Sequence, residues 1–245
     1  MYPIIFSFWK VTIYSHGILV ALGLIIGGWL IYSLAKEEDL STRQLLDLLL
    51  YAVIAGLIGA RLNYIIVYHA YFNNLWEYLA IWQGGMVSYG GILAGFGVAS
   101  WYLVKKKENI WKWLDIGIVG FLMGWLIGRC GCFLAGDVIG KPTEFALGIV
   151  QPAIDSLPRH PVALYEALAV LIIFFGIIFI YKTRAIKDGL LFFSGMILYF
   201  IARFGIEFAR EYGIIFWGLS LSQITLIILI IVAVIGLIYR YKYSK

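Results

Sequence analysis

The stretch "LDIGIVGFLMGWLIGRCGCFLAGDVIG" at Leu114–Gly140 decides how the chain folds. Its first half, Leu114–Ile127, is an apolar run of the kind that crosses a bilayer. An arginine, two cysteines and an aspartate then stand where a membrane-spanning segment should simply end. A guanidinium at the centre of a membrane helix costs about 2.5–3.5 kcal/mol, so such a residue usually faces a polar cavity or a partner. The stretch therefore predicts a membrane helix that ends at a polar site.

The composition of the whole chain places it in the same class. Of its 245 residues, 62% are hydrophobic and only 13% are charged, which is far outside the range of ordinary soluble domains. The net charge of +5 does not indicate a nucleic-acid partner, because no basic stripe with interleaved aromatic residues is present. The sequence predicts an all-α integral membrane protein.

Apolar runs of roughly 17–25 residues predict about seven transmembrane helices in a single polytopic membrane domain, residues 1–245. The runs lie at Thr12–Leu34, Leu45–Tyr68, Val87–Val104, Leu114–Gly128, Pro161–Tyr181, Gly189–Phe208 and Leu219–Tyr239. The first run lacks a basic leader and is too long for a signal-peptide core, so we expect it to stay in the mature protein.

The distribution of basic residues predicts which side each loop faces. Twelve of the 19 Lys and Arg residues, including Lys105–Lys107, fall on one side of the predicted helices, and seven fall on the other. Because cytoplasmic loops carry an excess of Lys and Arg, the richer side is expected to be cytoplasmic. The N-terminus is then outside and the C-terminus cytoplasmic, and segments 69–85 and 129–160 form arm and head elements on the outer face.

Three arginines are predicted at similar depth in the outer leaflet: Arg61, Arg129 and Arg203. Any one of them could snorkel to the interface, and Arg203 could pair with Glu207 one turn later. Three at one depth favour a shared anion site instead. Arginine presents paired donors that suit phosphate oxygens, so the predicted anion is a lipid phosphate.

The glycines and cysteines of these segments are interpreted as packing residues, and two histidines as candidate bases. Glycine rows indicate close packing of the third predicted helix, at Gly91 and Gly95, and of the fourth, at Gly117, Gly120, Gly124 and Gly128. Cys130 and Cys132 cannot by themselves build a four-thiolate zinc site, so we expect reduced, packed thiols that are not nucleophiles. His16 and His160 are candidates for a general base, but the residues do not decide between them.

Five motifs, in this order, carry a resemblance to a known family. They are "GARLNYIIVY" at Gly59–Tyr68, "WQGGMVSYGGILAG" at Trp82–Gly95, "GRCGCFLAGDVIGKPT" at Gly128–Thr143, "LPRHPVALYE" at Leu157–Glu166 and "YFIARFGIEFARE" at Tyr199–Glu211. Together they resemble the prolipoprotein diacylglyceryl transferase family of bacterial inner membranes. The resemblance extends from about Tyr14 to Gln223, nearly the whole chain.

The resemblance implies an activity and its partners. A member of this family moves the diacylglyceryl group of phosphatidylglycerol to the thiol of the lipobox cysteine in a preprolipoprotein and releases glycerol phosphate. The expected location is the bacterial plasma (inner) membrane, with several membrane passes, contact with membrane lipids and an active site toward the outer leaflet. No metal and no organic cofactor is expected.

The resemblance also implies roles for individual residues. Arg129 is the expected phosphate clamp, Arg203 the second essential cation, and Tyr89 a catalytic residue at a substrate-facing position. The positions expected to bind phosphatidylglycerol are Arg129, Arg61, Gly140, Asp137, Tyr199, Glu207, His16 and His160.

This chain departs from the family pattern at several of these positions. The familiar signature reads Gly-Arg-x-Gly-Asn-Phe-x-Asn-Gly-Glu, whereas this chain has Cys132, Ala135 and Asp137 at the two asparagines and the glutamate. Tyr89 stands where one branch has histidine, and His16 where a tyrosine is expected. The alternatives are therefore a lipid-dependent transferase with a different acceptor, an anion or lipid transporter, and a non-catalytic lipid-binding scaffold. A transporter would be expected to show internal repeats, and no matching halves are visible.

Overall fold

The computed structural model describes residues 2–8, 11–69, 72, 74–80, 84–183, 187–211, 213 and 216–243. The first two residues of the second motif, Trp82 and Gln83, lie outside this part of the chain, as do three of the counted basic residues, Lys10, Arg184 and Lys245.

The described chain is mostly helical, as predicted. Its elements are β1 (Ile4–Phe8), β2 (Val11–Tyr14), α1 (Ser15–Glu37), α2 (Thr42–Val67), α3 (Leu75–Leu79), α4 (Ser88–Lys106), α5 (Ile110–Ala135), β3 (Ile149–Val150), β4 (Pro158–Arg159), α6 (Val162–Thr183), α7 (Leu190–Ile206), a 3-10 turn (Glu207–Ala209) and α8 (Leu221–Tyr243). Each predicted span coincides with one long helix.

Six of these helices are long and apolar enough to cross a membrane, which makes this a multi-pass membrane protein. They are α1, α2, α5, α6, α7 with its 3-10 extension, and α8. The remaining long helix, α4, has 19 residues but is diluted by glycines and polar-tipped aromatic residues. Seven spans and their orientation therefore stay predictions. Large apolar side chains such as Ile25, Ile66 and Phe179 are about two-thirds or more exposed, as a lipid-facing surface requires.

Two predicted boundaries were wrong: the first run was expected to begin at Thr12, but residues 12–14 lie in β2, and the end of the fourth run was placed too early. The fourth run was expected to end at Gly128, but α5 continues to Ala135 and carries Arg129, Cys130 and Cys132 on its last two turns. The first residues of the predicted head segment 129–160 are therefore helical. The helix does not need to end at Arg129, because that charge finds a buried partner inside the protein.

The chain divides into two compact units, which are described separately: Met1–Ile31 with Trp111–Lys245, and Tyr32–Ile110. In the second unit, α2 packs closely on α4 through glycines. A Cβ atom on Gly59 would lie 2.5 Å from the carbonyl oxygen of Gly90, and one on Gly91 would lie 3.0 Å from that of Gly56. The small residues thus let the two backbones touch, as expected for membrane helices.

In the first unit, α5 makes the same kind of contact with α1. A Cβ atom on Gly23 would lie 2.7 Å from the carbonyl oxygen of Gly124, and one on Gly27 would lie 2.6 Å from that of Gly120. Gly117 and Gly128, the other two glycines of the predicted row, have open space around them. The packing interpretation of the fourth-span glycines is therefore confirmed for two of them.

The N-terminal part of α5 anchors the start of α7. Asp115 accepts hydrogen bonds from the backbone N–H groups of Gly189 and Phe192, at 2.6 Å and 2.7 Å, and so satisfies donors that the first turn of α7 leaves unpaired. Helix α7 also packs against α6 and α8. These contacts fix α5, α6 and α7 against one another, and these three helices carry the candidate site.

A short antiparallel hairpin, β1–β2, precedes α1. The backbone N–H of Tyr2 donates to the carbonyl of Leu134 at 2.9 Å, which ties the hairpin to the end of α5. Ser15, which is fully buried, donates to the carbonyl of Pro3 through its backbone N–H (3.0 Å) and its hydroxyl (3.3 Å). The first turn of α1 is thereby held beside the last turn of α5.

Candidate active site

A single buried carboxylate, Glu166 in the first turns of α6, organises the site. Its Oε1 atom accepts hydrogen bonds from the Trp125 indole at 3.1 Å and the Tyr199 hydroxyl at 2.8 Å. The same oxygen lies 3.0 Å from Nε of Arg129, and Oε2 lies 3.4 Å from Nε of Arg203. Glu166 is only 2% exposed, so this charge is stabilised by its partners and not by water.

Arg129 is fixed by three neighbours along one side of its guanidinium group. Its Nε atom faces Glu166, its Cζ atom lies 4.5 Å from the centre of the Trp125 ring, and its Nη1 atom donates to Sγ of Cys132 at 3.6 Å. Its Nη2 atom has no hydrogen-bond partner among the described residues. The guanidinium group is therefore held in one orientation while its Nη2 edge can still donate to a ligand, as a phosphate clamp requires.

The ion pairs continue from Glu166 toward the end of α7. Beyond Glu166, Arg203 reaches Glu207 one turn later, with Nη1 at 2.6 Å from Oε2, and Nη1 of Arg210 lies 3.8 Å from the same oxygen. The Ser220 hydroxyl donates to the other oxygen of Glu207 at 3.2 Å. The predicted pairing of Arg203 with Glu207 is confirmed, but it is one part of a larger set.

We call this set the arginine–glutamate cluster: Arg129, Glu166, Arg203, Glu207 and Arg210. These five residues join three guanidinium groups to two carboxylates, so their own net charge is +1. Burial lowers the pKa of Arg210, and the positive charge of Arg203 lowers it further. An added anion would relieve that excess, so the cluster is suited to bind a phosphate.

Three of the positions where the chain departs from the family signature come together beside Arg129. Nδ1 of His16 lies 3.7 Å from Sγ of Cys132, and the ligand atoms of His16, Cys132 and Asp137 all lie within 4.8 Å of one another. Gly131 permits this approach, because a Cβ atom there would lie 3.1 Å from Cβ of Leu19 and 3.3 Å from Cα of His16. We call these three residues the His–Cys–Asp cluster.

A layer of loops next to α5 is held by Arg159, which is 5% exposed. Its Nη1 atom donates to the Gly140 carbonyl at 2.9 Å and pairs with Glu211, and its other nitrogens pair with Asp155. The hydrogen bond from Arg159 lowers the pKa of the Asp155 carboxyl. Arg159 has no partner in the arginine–glutamate cluster among the described residues, and its geometry indicates a structural role.

Gly140 lies at the crossing of these loops and gives a direct test of the fold. A Cβ atom there would penetrate the carbonyl oxygen of His160 and lie 2.9 Å from its carbon, and both are backbone atoms that cannot swing aside. We expect Gly140→Ala to lower the melting temperature, because overpacking reduces the free energy of unfolding by about 1–3 kcal/mol or more.

The matched control for this substitution is Gly117→Ala, because a Cβ atom at Gly117 meets no atom within 4 Å. Alanine favours the helix there by roughly 0.5–1 kcal/mol. Thermal unfolding of both variants in the same detergent should therefore show a loss only for Gly140→Ala. Equal melting temperatures would contradict the described crossing.

Arg61 lies in the unit Tyr32–Ile110 and is 7% exposed. All of its nitrogens donate to backbone carbonyls of the segment that follows α2, at Glu77, Tyr78, Ala80, Gly84 and Gly85. Arg61 thus holds the described part of the arm segment in place, and residues 70, 71, 73 and 81–83 of that segment lie outside the described chain. To contact phosphatidylglycerol as predicted, Arg61 would have to break at least one of these hydrogen bonds.

The remaining predicted residues are placed as follows. Tyr199 is buried and bonded to Glu166, so it belongs with the arginine–glutamate cluster. His160 lies in the loop layer, where its Nδ1 atom is 3.1 Å from the Tyr165 hydroxyl. Tyr89 is the second residue of α4 in the other unit and is 65% exposed.

Glu166 and Arg210 were not predicted as site residues from the sequence. Glu166 closes one of the quoted motifs, and it is the only charged residue in the run Val162–Tyr181. An ionisable residue within a membrane-spanning segment is by itself a signal for a functional site. Arg210 gave a weaker signal, because it follows the end of its helix and resembles an ordinary interfacial charge.

Comparison with known proteins places the chain among membrane transferases. A family model described as prolipoprotein diacylglyceryl transferase matches residues 3–239. A phosphatidylglycerol–prolipoprotein diacylglyceryl transferase of Finegoldia magna is 36% identical over 98% of this chain and 95% of its own length. Proteins of the same name from Tolumonas auensis and Wolbachia pipientis are 36% and 32% identical over 85% and 95% of this chain, and 82% and 92% of their own lengths.

Proposed function

The chain belongs to the prolipoprotein diacylglyceryl transferase family, and we propose that it transfers the diacylglyceryl group of phosphatidylglycerol to the lipobox cysteine of preprolipoproteins. This reaction is a step of lipoprotein biosynthesis. The observation that carries the proposal within the molecule is the arginine–glutamate cluster, with its excess positive charge and its directed Arg129.

The reaction requires charge to grow on a phosphate. The acceptor thiolate attacks the C3 methylene of the diacylglyceryl group, an S–C bond forms, and the C–O bond to the phosphate breaks. The electron pair of that bond stays on the phosphate oxygen, so a monoanionic diester becomes a more highly charged monoester, glycerol phosphate. Preorganised cations stabilise this transition state more than the bound lipid, which is how they accelerate the reaction.

The cluster assigns distinct tasks to its members. Arg129 offers its outer edge to the phosphate, while Glu166 and Trp125 hold the group in one orientation. Arg203 supplies a second positive charge 3.4 Å from the far oxygen of Glu166. Because Glu166 binds both arginines, it keeps two like charges close together without neutralising the whole site.

The membrane location is proposed together with the activity. We place the protein in the bacterial inner membrane with the site toward the outer leaflet, because Lys105–Lys107 mark a loop rich in basic residues, which cytoplasmic loops favour. Phosphatidylglycerol and a translocated preprolipoprotein would both reach such a site.

Cysteine labelling tests this orientation. On a background in which Cys130 and Cys132 are replaced by serine, Lys106→Cys and Glu144→Cys place single thiols at exposed positions of segments that are predicted to face opposite sides of the membrane. In intact cells, a membrane-impermeant maleimide should label the variant at 144 and spare the variant at 106 until the cells are opened. The reverse pattern would overturn the orientation and the outer-leaflet site with it.

The identity of the acceptor is tested by comparing peptides. Purified protein is incubated with vesicles that contain phosphatidylglycerol labelled in its acyl chains and with a lipobox peptide. The proposal expects label on the cysteine peptide and none on the same peptide with serine in place of cysteine. Label on both peptides or on a different acceptor would favour the rival transferase, whereas flux of label without a covalent product would favour a transporter.

A further inference from the structure

The His–Cys–Asp cluster lies beside Arg129 and is not explained by phosphate binding. His16 is in the first turn of α1, Cys132 is in the last turn of α5, and Asp137 follows two residues after that helix ends. We propose that these three side chains bind one zinc-like transition-metal ion whose open position takes the acceptor thiol. The role in thiol binding rests on the proposed function, whereas the metal site itself does not.

The donor set suits such an ion. Zinc is bound by thiolate, imidazole and carboxylate ligands, and a catalytic zinc site has three protein ligands and one open position. Hard cations such as magnesium prefer oxygen ligands alone, so the sulfur and nitrogen donors favour a transition metal. Two cysteines could not by themselves provide a four-thiolate site, and the family resemblance implied no metal. The fold supplies the other ligands from a residue 116 positions away and from a turn.

The distances also suit a shared ion. Metal–ligand bonds of about 2.0–2.3 Å in a tetrahedron place neighbouring ligand atoms roughly 3.3–3.8 Å apart. The 3.7 Å between Nδ1 of His16 and Sγ of Cys132 lies in this range. All three ligand atoms fall within 4.8 Å of one another, so a small movement of the exposed Asp137 carboxylate completes the geometry.

The fold holds two of the ligands firmly and leaves the third adjustable. His16 follows Ser15, whose hydroxyl and backbone N–H are both bonded to Pro3, and Gly131 lets α1 approach α5. Cys132 is 8% exposed. Asp137 follows Gly136, whose positive φ of 70° turns the chain out of α5. An entering ligand therefore has access from the Asp137 side.

The position of this cluster fits the reaction. Sγ of Cys132 is 3.6 Å from Nη1 of Arg129, so an ion at Cys132 would lie next to the phosphate clamp. A free thiol has a pKa near 8.5 and is mostly protonated at neutral pH, but metal coordination deprotonates it. An ion held by His16, Cys132 and Asp137 would bind the acceptor sulfur as a thiolate, with the thiol proton passing to water. That thiolate would attack the methylene carbon as the C–O bond breaks, and the electron pair of that bond would leave with glycerol phosphate.

The charges support the same placement. A divalent cation with the Cys132 thiolate and the Asp137 carboxylate is neutral overall, and the incoming acceptor thiolate makes it singly negative. A singly negative centre is attracted to Arg129 and to the positive excess of the arginine–glutamate cluster. After the attack the sulfur is a neutral thioether, which is a weaker ligand than the thiolate and can depart.

The site is tested by cobalt binding to the full-length protein in detergent. The protein is stripped with a chelator and titrated with Co²⁺, whose thiolate charge-transfer band and tetrahedral ligand-field bands report sulfur coordination. We expect one Co²⁺ per chain with both signatures, and displacement by Zn²⁺. A cobalt spectrum without the thiolate band, or no saturable binding, would show that the three side chains form only a hydrogen-bonded group.

Single substitutions identify the ligands. Cys132→Ser should abolish the charge-transfer band, and His16→Phe and Asp137→Asn should each weaken binding by more than the roughly 10–100-fold typical of losing an outer-shell partner. Cys130→Ser is the matched control, because Cys130 is the other free cysteine and lies outside the cluster. An unchanged spectrum in Cys132→Ser, or its loss in Cys130→Ser, would overturn the assignment.

The role of the ion in the reaction is measured separately. Transfer to the lipobox peptide is compared in stripped protein and in the same protein reloaded with Zn²⁺, and reloading should restore at least a tenfold higher rate. Equal rates would overturn the thiol-activating role and leave the proposed function intact. If neither form transfers lipid, the proposed function fails, and the cobalt spectrum still decides whether the metal site exists.

Discussion

Replacing Arg129 by alanine is expected to abolish measurable diacylglyceryl transfer, and replacing it by lysine is expected to leave only a small residue. Arg129 combines a charge with paired donors that Glu166 and Trp125 hold in place. Loss of one preorganised donor at a developing charge typically costs about 2.7–4 kcal/mol, or roughly 10²–10³ in rate. Lysine keeps the charge but cannot form the fork or bond to Glu166 in the same geometry.

The comparison of the two variants separates catalysis from simple anchoring. If Arg129 only snorkelled to the lipid headgroups, lysine would serve equally well, because its flexible ammonium reaches the interface as readily. The initial rate of transfer to a lipobox peptide is measured in phosphatidylglycerol vesicles, with thermal unfolding to show that each variant is folded. A wild-type rate in Arg129→Lys would remove the phosphate-clamp role.

Replacing Glu166 by glutamine is expected to be nearly as damaging, through a different route. The amide keeps the size of the side chain but removes the charge that faces Arg129 and Arg203. Breaking a buried ion pair by removal of one partner costs about 3–5 kcal/mol, because the other charge is left buried and unpaired. We expect a lower melting temperature together with a loss of transfer of about 10² or more, since Arg129 also loses its orientation.

Glu211→Gln is the matched control for Glu166→Gln. Both carboxylates pair with a buried arginine, but the side chain of Glu211 is 52% exposed while that of Glu166 is 2% exposed. Exposed pairs contribute about 0–1 kcal/mol, so this variant should stay close to wild type in both measurements. The account of Glu166 as the organising carboxylate is contradicted if Glu166→Gln is folded and transfers lipid at the wild-type rate.

A charge-compensating variant refines the role of Glu166. Combining Glu166→Gln with Arg203→Gln removes one charge of each sign and restores the net charge of the cluster. If Glu166 acts mainly on stability, the double variant should recover part of the melting temperature. Transfer should not recover, because Arg203 is itself an expected catalytic cation and Arg129 remains without its partner.

The membrane helices could be predicted from the sequence because their signal is local. A helix is the structure that satisfies every backbone group inside a bilayer, so long apolar runs reveal it directly. The glycine rows of α4 and α5 likewise indicated close packing before any partner was known. The end of α5 could not be placed, because the buried partner of Arg129, Glu166, lies on another helix that is distant in the sequence.

The candidate site was predicted only in part, because some of its residues give a local signal and others depend on contacts between distant segments. Arg129 and Arg203 were identified as unusual charges within apolar segments, and the structure joins them through one carboxylate. The sequence also suggested that Arg61 shares their anion site, but its donors are directed to carbonyls of its own arm segment. The approach of His16 to Cys132 depends on the hairpin contacts of Ser15 and on the space at Gly131, and no spacing rule in the sequence encodes it.

In the proposed reaction, this site couples attack by a thiol to the departure of a phosphate. Both products can be analysed in one reaction that contains phosphatidylglycerol vesicles, a lipobox peptide and the purified protein. We expect a thioether-linked diacylglyceryl peptide and glycerol phosphate in equal amounts, with both products absent in Arg129→Ala. A lipidated peptide without glycerol phosphate, or equal yields of both products in Arg129→Ala, would contradict the proposed reaction.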